Sequence, residues 1–141
     1  MPLRVGERAV LELSAAVSDL ISSDAARAFP EECCGALLAD AKGVITARAL
    51  ENAAPDRGHA FLISAKDYLR LEAEADAQGL TLAGFYHSHP DAPATPSATD
   101  AEAAWPELWT VIVPVIAGVP AEPRAFRFDA TTRKFNEGAI T

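Results

Sequence analysis

LTLAGFYHSHPDAPATPSATD, residues 80–100, contains a strand, a loop and a helix start in close succession. Residues 80–87 are mostly apolar and lie between a glycine and a proline, which predicts a buried central strand. The next part is predicted to be a rigid, irregular loop because it contains three prolines, Pro90, Pro93 and Pro96. A helix to about residue 104 is predicted to begin at Ser97, since Ser97 and Asp100 have the spacing of an N-cap.

Hydrophobic periodicity predicts further elements on both sides of this stretch. Strands are predicted at residues 8–13, 34–39, 44–50, 61–63, 108–116, 124–128 and 134–136. Helices are predicted at residues 14–29, with Ser14 as the cap and Pro30 as the stop, and at residues 64–78. This order predicts an α/β fold with one mixed sheet and helices packed on it. Because the chain has no internal repeat or long linker, residues 1–141 are predicted to form a single domain.

Composition and charge argue against several classes of partner. The 141-residue chain carries 12 Lys and Arg against 20 Asp and Glu, which gives a net charge of −8. Nucleic acids and anionic membranes attract clustered basic residues, so neither is a predicted partner. The most apolar run, Val111 to Pro120, is too short to cross a bilayer, and residues 1–30 contain no apolar segment of the secretory type. The two cysteines, Cys33 and Cys34, are adjacent, which argues against a disulfide framework and favours the reducing cytoplasm.

His87, His89 and Asp100 have the pattern of metal ligands. Residues two apart in a strand point to the same side, so His87 and His89 can present both imidazoles to one ion. A loop of seven residues between His89 and Ser97 can bring Asp100 back to them as a third ligand. Zinc accepts these ligand types and keeps a water when the protein supplies only three. A lone histidine is more often structural, and Ser97 with Asp100 alone is a common helix cap, but their combination favours a zinc site.

Hydrolysis at a metal site also needs a base that takes a proton from the water. The segment Pro30–Gly35, PEECCG, places two carboxylates between a helix stop and an apolar strand. The spacing does not distinguish Glu31 from Glu32, and a solvated helix end is the simpler interpretation of Glu31. His59, the third histidine, is interpreted as a solvated loop residue, and the two tryptophans, Trp105 and Trp109, as core or helix-packing residues.

These residues together resemble the JAMM, or MPN+, zinc metalloproteases. His87 and His89, seven intervening residues, Ser97, two residues and Asp100 match the family motif of HxH, seven residues, S, two residues and D. The PEECCG segment resembles the upstream family element, in which a glutamate follows proline by two residues and precedes glycine by three. The resemblance extends roughly from Arg8 to Phe128, and the compact length is similar to the prokaryotic branch.

The resemblance implies a cytidine-deaminase-like α/β/α sandwich and a role for each matching residue. His87, His89 and Asp100 would bind one zinc ion per chain. Of the two candidate bases, the resemblance selects Glu32, which would deprotonate the attacking water and then protonate the leaving amine. Ser97 would donate a hydrogen bond to the oxyanion.

The resemblance also implies a substrate. Family members cleave peptide or isopeptide bonds after the C-terminal glycine of ubiquitin-like proteins. Prokaryotic members act on small ubiquitin-like sulfur carriers with a Gly-Gly terminus, from which they release cysteine or another C-terminal adduct. The predicted function is therefore a zinc peptidase or isopeptidase of this kind. Whether the chain forms a homodimer is left open.

Three other functions fit the sequence less well. Some domains of the family are non-catalytic scaffolds that bind a ubiquitin-like partner, but these have lost metal ligands, and all five motif positions are present here. A nucleobase deaminase would need HxE and PCxxC elements, which the sequence lacks. A cysteine hydrolase would need a histidine base, and the zinc site leaves only His59 for that role.

Overall fold

The computed structural model describes residues 9–141, with three helices and eight strands in that range. The helices are α1 (Ala15–Ala28), α2 (Ala65–Ala77) and α3 (Ala98–Ala103). The strands are β1 (Val10–Leu11), β2 (Cys34–Asp40), β3 (Gly43–Leu50), β4 (Thr81–Pro90), β5 (Trp109–Ile116), β6 (Val119–Pro120), β7 (Arg124–Asp129) and β8 (Lys134–Ile140). Arg8, the predicted start of the first strand, lies outside the described residues.

The eight strands of the described region form one mixed sheet, as predicted. Their order is β1-β8-β7-β5-β4-β2-β3, and β6 pairs with the end of β5. β4 and β5 run parallel, as do β1 and β8, and the other neighbours are antiparallel. The predicted central strand, β4, therefore lies between β2 and β5 in the middle of the sheet.

Helices cover both faces of the sheet, which confirms the α/β/α sandwich. The buried face of α1 contributes Val17, Ile21 and Ala25 to a core that also contains Tyr86 of β4. On the other face, Leu71 and Ala75 of α2 pack against a second set of sheet residues, Ala36, Leu38 and Phe85. Burial of these apolar side chains on both faces supplies most of the free energy that holds the layers together. Within the described residues, no helix is long and apolar enough to span a membrane.

Several predicted strands differ from the structure. The first strand ends at Leu11, before the predicted end at residue 13, and β6 was not predicted. β8 continues past the predicted end at residue 136 to Ile140, where it pairs with β1. Residues 61–63 form no strand, because the amide of Leu62 bonds the side chain of Asn52 and its carbonyl bonds the amide of Ala53. β4 continues past the predicted end at residue 87 to Pro90, since β5 runs beside it and pairs with its last residues. Both histidines of the HxH pair consequently lie within the strand.

Candidate metal centre

Strand β4 presents His87 and His89 on one face and Ser88 on the other, as the alternation of a strand requires. The two rings lie together, with their Nε2 atoms 3.2 Å apart. Both residues are buried, with 1% and 9% of their surfaces exposed.

The start of α3 brings Asp100 to the two histidines. Its Oδ1 lies 3.1 Å from His87 Nε2, and its Oδ2 lies 3.1 Å from His89 Nε2. A capping box fixes this position, since the Asp100 amide donates to Ser97 Oγ and the Ser97 amide donates to Asp100 Oδ2. The sequence-predicted capping pattern and the approach of Asp100 to both histidines are therefore features of the same helix start.

Burial and hydrogen bonds act in opposite directions on the protonation of this cluster. His89 Nδ1–H donates to the carbonyl of Pro93 at 2.9 Å, which leaves Nε2 as the atom that would face a metal ion. Burial lowers the pKa of His89, but hydrogen bonds with Asp100 and Pro93 outweigh it and raise that pKa above its ordinary value. Burial lowers the pKa of His87 and favours its neutral form. Burial alone would raise the pKa of Asp100, but hydrogen bonds with both histidines outweigh it and hold that pKa below its usual range.

The donor set fits a zinc ion. Two imidazole nitrogens and a carboxylate converge with separations of 3.1 to 3.2 Å. Protons shared between Asp100 and the histidines hold these atoms together, and a zinc ion would take the place of those protons. In a tetrahedral zinc site with bonds of about 2.0–2.1 Å, neighbouring ligand atoms are about 3.3 Å apart. Three protein ligands of this kind are the number that leaves one position for water.

Glu32 lies beside the histidines, whereas Glu31 is exposed to solvent. A Glu32 carboxylate oxygen is within 4.8 Å of a ring nitrogen of each histidine, farther than the Asp100 oxygens. Burial raises the pKa of Glu32 to about 7, a value suited to a group that both takes and gives a proton near neutral pH. Burial and position therefore favour Glu32 over Glu31 as the candidate base, a choice that the sequence spacing left open.

Ser97 is exposed at the first position before α3. Its Oγ accepts the Asp100 amide at 3.0 Å, which leaves the hydroxyl hydrogen available to an incoming acceptor. The structure brings all five sequence-predicted site residues to one end of β4: Glu32, His87, His89, Ser97 and Asp100.

The remaining candidates lie outside this cluster of polar groups. His59 is exposed and pairs with Asp56 at 3.1 Å, as expected for a solvated loop residue. Both cysteines are buried free thiols, and burial raises the pKa of each to about 12, so neither is a nucleophile near neutral pH.

An apolar cleft of about 520 Å³ opens directly beside the candidate metal ligands. Its lining includes His87, Asp100 and five aromatic residues, Phe61, Tyr68, Phe85, Trp105 and Trp109. Trp105 stacks on Tyr68 of α2 but is 49% exposed, whereas Trp109 is buried in the core. Exposed apolar surface around a concave site marks a place where a ligand or partner binds.

Two polar residues of the site region were not predicted from sequence. Asn52 bonds the backbone of Glu32, and Ser88 bonds the backbone of Cys33. Only the tertiary structure joins these positions, because Ser88 lies 55 residues from Cys33 along the chain. Phe61 likewise stacks on the ring of His87 with 4.4 Å between ring centroids, although it lies in a loop.

Comparison with known proteins gives consistent matches. The family described as prokaryotic homologs of the JAB domain matches residues 14–129. A desampylase from Haloferax volcanii is 35% identical over 103 residues, which are 68% of this chain and 74% of that protein.

Solved structures share the fold over nearly the whole chain. A protein from Salinibacter ruber has a TM-score of 0.71 and 34% identity, over 93% of this chain and 90% of its own. One from Desulfitobacterium hafniense has a TM-score of 0.80 and 25% identity, over 93% and 91%. A JAB1/MPN domain protein from Archaeoglobus fulgidus has a TM-score of 0.56 over 89% and 94%, and at 16% identity it supports the fold alone.

Proposed function

The chain belongs to the compact prokaryotic branch of the JAMM, or JAB/MPN, family, and from this we propose that it is a zinc-dependent peptidase or isopeptidase. The observation that carries the proposal is the convergence of His87, His89 and Asp100 at 3.1 to 3.2 Å beside the buried carboxyl group of Glu32. This combination supplies three metal ligands and a separate base, which metal-assisted hydrolysis of an amide requires.

His87, His89 and Asp100 would hold the zinc ion. In such sites zinc lowers the pKa of water to about 7 and polarises the carbonyl group under attack. His89 is held for this role by its Nδ1–H bond to Pro93, and His87 by the ring of Phe61.

Glu32 and Ser97 would carry out the proton transfer and charge stabilisation. The Glu32 carboxylate accepts a proton from the water whose oxygen attacks the carbonyl carbon. It then gives that proton to the nitrogen as the C–N bond breaks, so a carboxylic acid and a free amine leave the site. Ser97 donates its hydroxyl hydrogen to the carbonyl oxygen while negative charge develops there, a contribution typically worth about 3–4 kcal/mol.

We propose that the substrate is a ubiquitin-like protein cleaved after its C-terminal glycine. The similarity to a desampylase supports a ubiquitin-like modifier or carrier as the class of partner. A Gly-Gly tail, extended and without side chains, can reach the buried zinc ligands, and the preceding residues would lie in the apolar cleft. The group released from the C-terminal glycine would be a cysteine or another amine. The substrate would then be a sulfur carrier, and the reaction would take place in the cytoplasm.

The test combines metal analysis with mass spectrometry. We expect one zinc per chain, and loss of the adduct mass from a ubiquitin-like protein whose Gly-Gly tail is extended by cysteine or a short peptide. Glu32→Gln should keep its zinc and lose roughly 10²- to 10⁴-fold in rate, because only the proton carrier is removed. Full activity in that variant would contradict the role of Glu32. Binding without turnover by the zinc-loaded wild type would instead indicate the non-catalytic scaffold.

A further inference from the structure

The peptide bond between Glu32 and Cys33 is held from both sides by side chains of other segments. The Cys33 amide donates to Ser88 Oγ at 2.8 Å, and the Glu32 carbonyl accepts from Asn52 Nδ2 at 3.0 Å. The Glu32 amide donates to the carbonyl of Arg57 at 2.7 Å. The Glu32 amide, the Glu32 carbonyl and the Cys33 amide are thus each fixed by a hydrogen bond.

The Glu32 carboxyl group has much less support of its own. Its Oε1 is buried and has no hydrogen-bond partner within residues 9–141. The direction of the side chain is therefore set mainly by the backbone from which it projects. A small rotation of the Glu32–Cys33 peptide plane would displace the carboxylate at the far end of three side-chain bonds.

Ser88 connects this peptide to the metal ligands. It is fully buried and lies between His87 and His89, but on the opposite face of β4. One rigid strand therefore carries both imidazoles on one side and the anchor of the Cys33 amide on the other. The Ser88 amide also donates to the Cys33 carbonyl at 3.3 Å, which gives the two segments a second connection.

Asn52 supplies the other half of the support. Its Nδ2 donates to Glu32 and Ala60 carbonyls at 3.0 Å each, and its Oδ1 accepts the amides of Ala54 and Leu62. All four hydrogen bonds that an asparagine side chain can make are present, so its orientation is well determined. The same side chain thereby fastens the loop that places Phe61 against His87.

We propose that Ser88 and Asn52 are positioning residues that clamp the Glu32–Cys33 peptide and so set the Glu32 carboxylate against the two histidines. This inference rests on the proposed function, which gives Glu32 its role as proton carrier. The simpler interpretation is that both side chains only satisfy buried backbone groups and stabilise the fold. In the proposal, Ser88 and Asn52 affect turnover because they position Glu32. In the simpler interpretation, they affect turnover only because they stabilise the fold.

A double-mutant cycle with zinc-loaded protein distinguishes them. Ser88→Ala should lower kcat by about 10- to 100-fold, the range for groups that orient a reacting residue, with KM and zinc content unchanged. In the Glu32→Gln background the same change should alter the residual rate less than about 2-fold, because the group it positions is gone. An equal loss in both backgrounds would overturn the clamp.

Tyr86→Phe is the matched control. It also removes one buried hydroxyl from the same face of β4, but that hydroxyl donates to Asp24 at 2.9 Å and not to the Glu32 segment. We expect lower thermal stability with kcat within about 2-fold of wild type. A kcat loss equal to that of Ser88→Ala would assign both effects to general destabilisation and overturn the proposal.

Amide hydrogen exchange tests the clamp without any substrate. In Ser88→Ala the Cys33 amide should exchange about 10-fold faster, as expected for loss of one hydrogen bond, while Ala36 and Leu38 in β2 keep their rates. A crystal structure of the variant should show a displaced Glu32 carboxylate. Unchanged exchange with an unmoved Glu32 would overturn the clamp even if the wild type cleaves nothing, whereas failure of cleavage alone would overturn only the proposed function. If Ser88→Ala does not fold, Asn52→Ala is measured in the same way.

Discussion

The three histidines of the chain lie in two different environments, which gives an internal control for the metal site. His89 has its Nε2 3.1 Å from Asp100 and its other nitrogen fixed by Pro93. His59 has an 86% exposed side chain and pairs with Asp56 in a surface loop. We expect His89→Ala to lose bound zinc and His59→Ala to keep one zinc per chain, as measured by metal analysis after dialysis.

The physical reason for the expected loss of zinc in His89→Ala is the number of protein ligands that remain. Without His89, two protein ligands remain at the site, and zinc in proteins is normally held by three or four. Equal zinc content in both variants would contradict the ligand assignment. His59→Ala should also leave the unfolding midpoint nearly unchanged, because an exposed pair contributes about 0–1 kcal/mol.

At the level of single residues, the sequence predicted the site residues that lie close to one another along the chain. His87 and His89 share a face because they are two apart in a strand, and Asp100 follows Ser97 at the spacing of a cap. Spacing could not separate Glu31 from Glu32, since the distinction is burial against another segment. The role of Asn52 could not be predicted from sequence, because its four hydrogen bonds depend on how the loop that carries it folds back.

All three helices of the described region begin with a serine cap, and only the cap of α3 lies at the candidate metal centre. Ser64 accepts the Asp67 amide at the start of α2, and Ser97 accepts the Asp100 amide at the start of α3. Replacing either serine by alanine should cost about 1 kcal/mol of stability. Only Ser97→Ala should also lower kcat, by about 10²- to 10³-fold, because it removes the proposed oxyanion donor.

Denaturant unfolding and steady-state kinetics on both variants check this prediction. Ser97→Thr keeps a hydroxyl and a cap, so it should retain most of the activity. Zinc content must be measured beside the rates, since the capping box also holds Asp100. A similar kcat for Ser97→Ala and wild type would remove Ser97 from the proposed mechanism.

The pairing of β2 with β4 depends on a glycine. Gly35 lies opposite Tyr86, and a Cβ at this position would overlap the Tyr86 ring. That ring cannot move freely, because its hydroxyl is bonded to Asp24. Gly35→Ala should therefore destabilise the fold by about 1–3 kcal/mol, measured as a lower denaturation midpoint. Gly58→Ala is the control, since its Cβ would meet nothing closer than 3.9 Å, and it should change stability by less than about 0.5 kcal/mol.

Most helices and strands were predictable because the hydrophobic periodicity of each element lies within its own sequence. The predicted helices at 14–29, 64–78 and 97–104 correspond to α1, α2 and α3 to within a residue or two at each end. Strand ends were less predictable, since β4 and β8 extend only as far as a neighbouring strand pairs with them. The prediction of a short strand at 61–63 was wrong, because a hydrogen bond to the Asn52 side chain takes the place of pairing with another strand.

At the scale of the whole molecule, a patch of exposed apolar surface lies beside the candidate metal centre of an acidic protein. The chain carries a net charge of −8, yet the cleft beside the metal ligands is lined almost entirely by apolar side chains. Leu62, Leu69 and Trp105, which border it, are 53%, 65% and 49% exposed. Sequence could not predict this surface, because its parts come from a loop, α2 and the segment after α3. Binding at the cleft should therefore depend mainly on apolar contact and only weakly on salt.

Trp105 offers the most direct test of where a substrate tail binds. It stacks on Tyr68 with 5.4 Å between ring centroids, and it is not one of the residues to which the proposed chemistry assigns a role. Trp105→Ala should raise KM for a protein substrate by about 10-fold, as expected for a tryptophan in a binding surface, with kcat and zinc content near wild type. Trp105→Phe keeps an aromatic ring and should lose less. Ile116→Ala, at an equally exposed apolar position outside the cleft lining, should leave KM unchanged. A KM that is the same in all three variants would place the tail on another surface, because an apolar cleft that binds it cannot lose its half-exposed indole without loss of affinity.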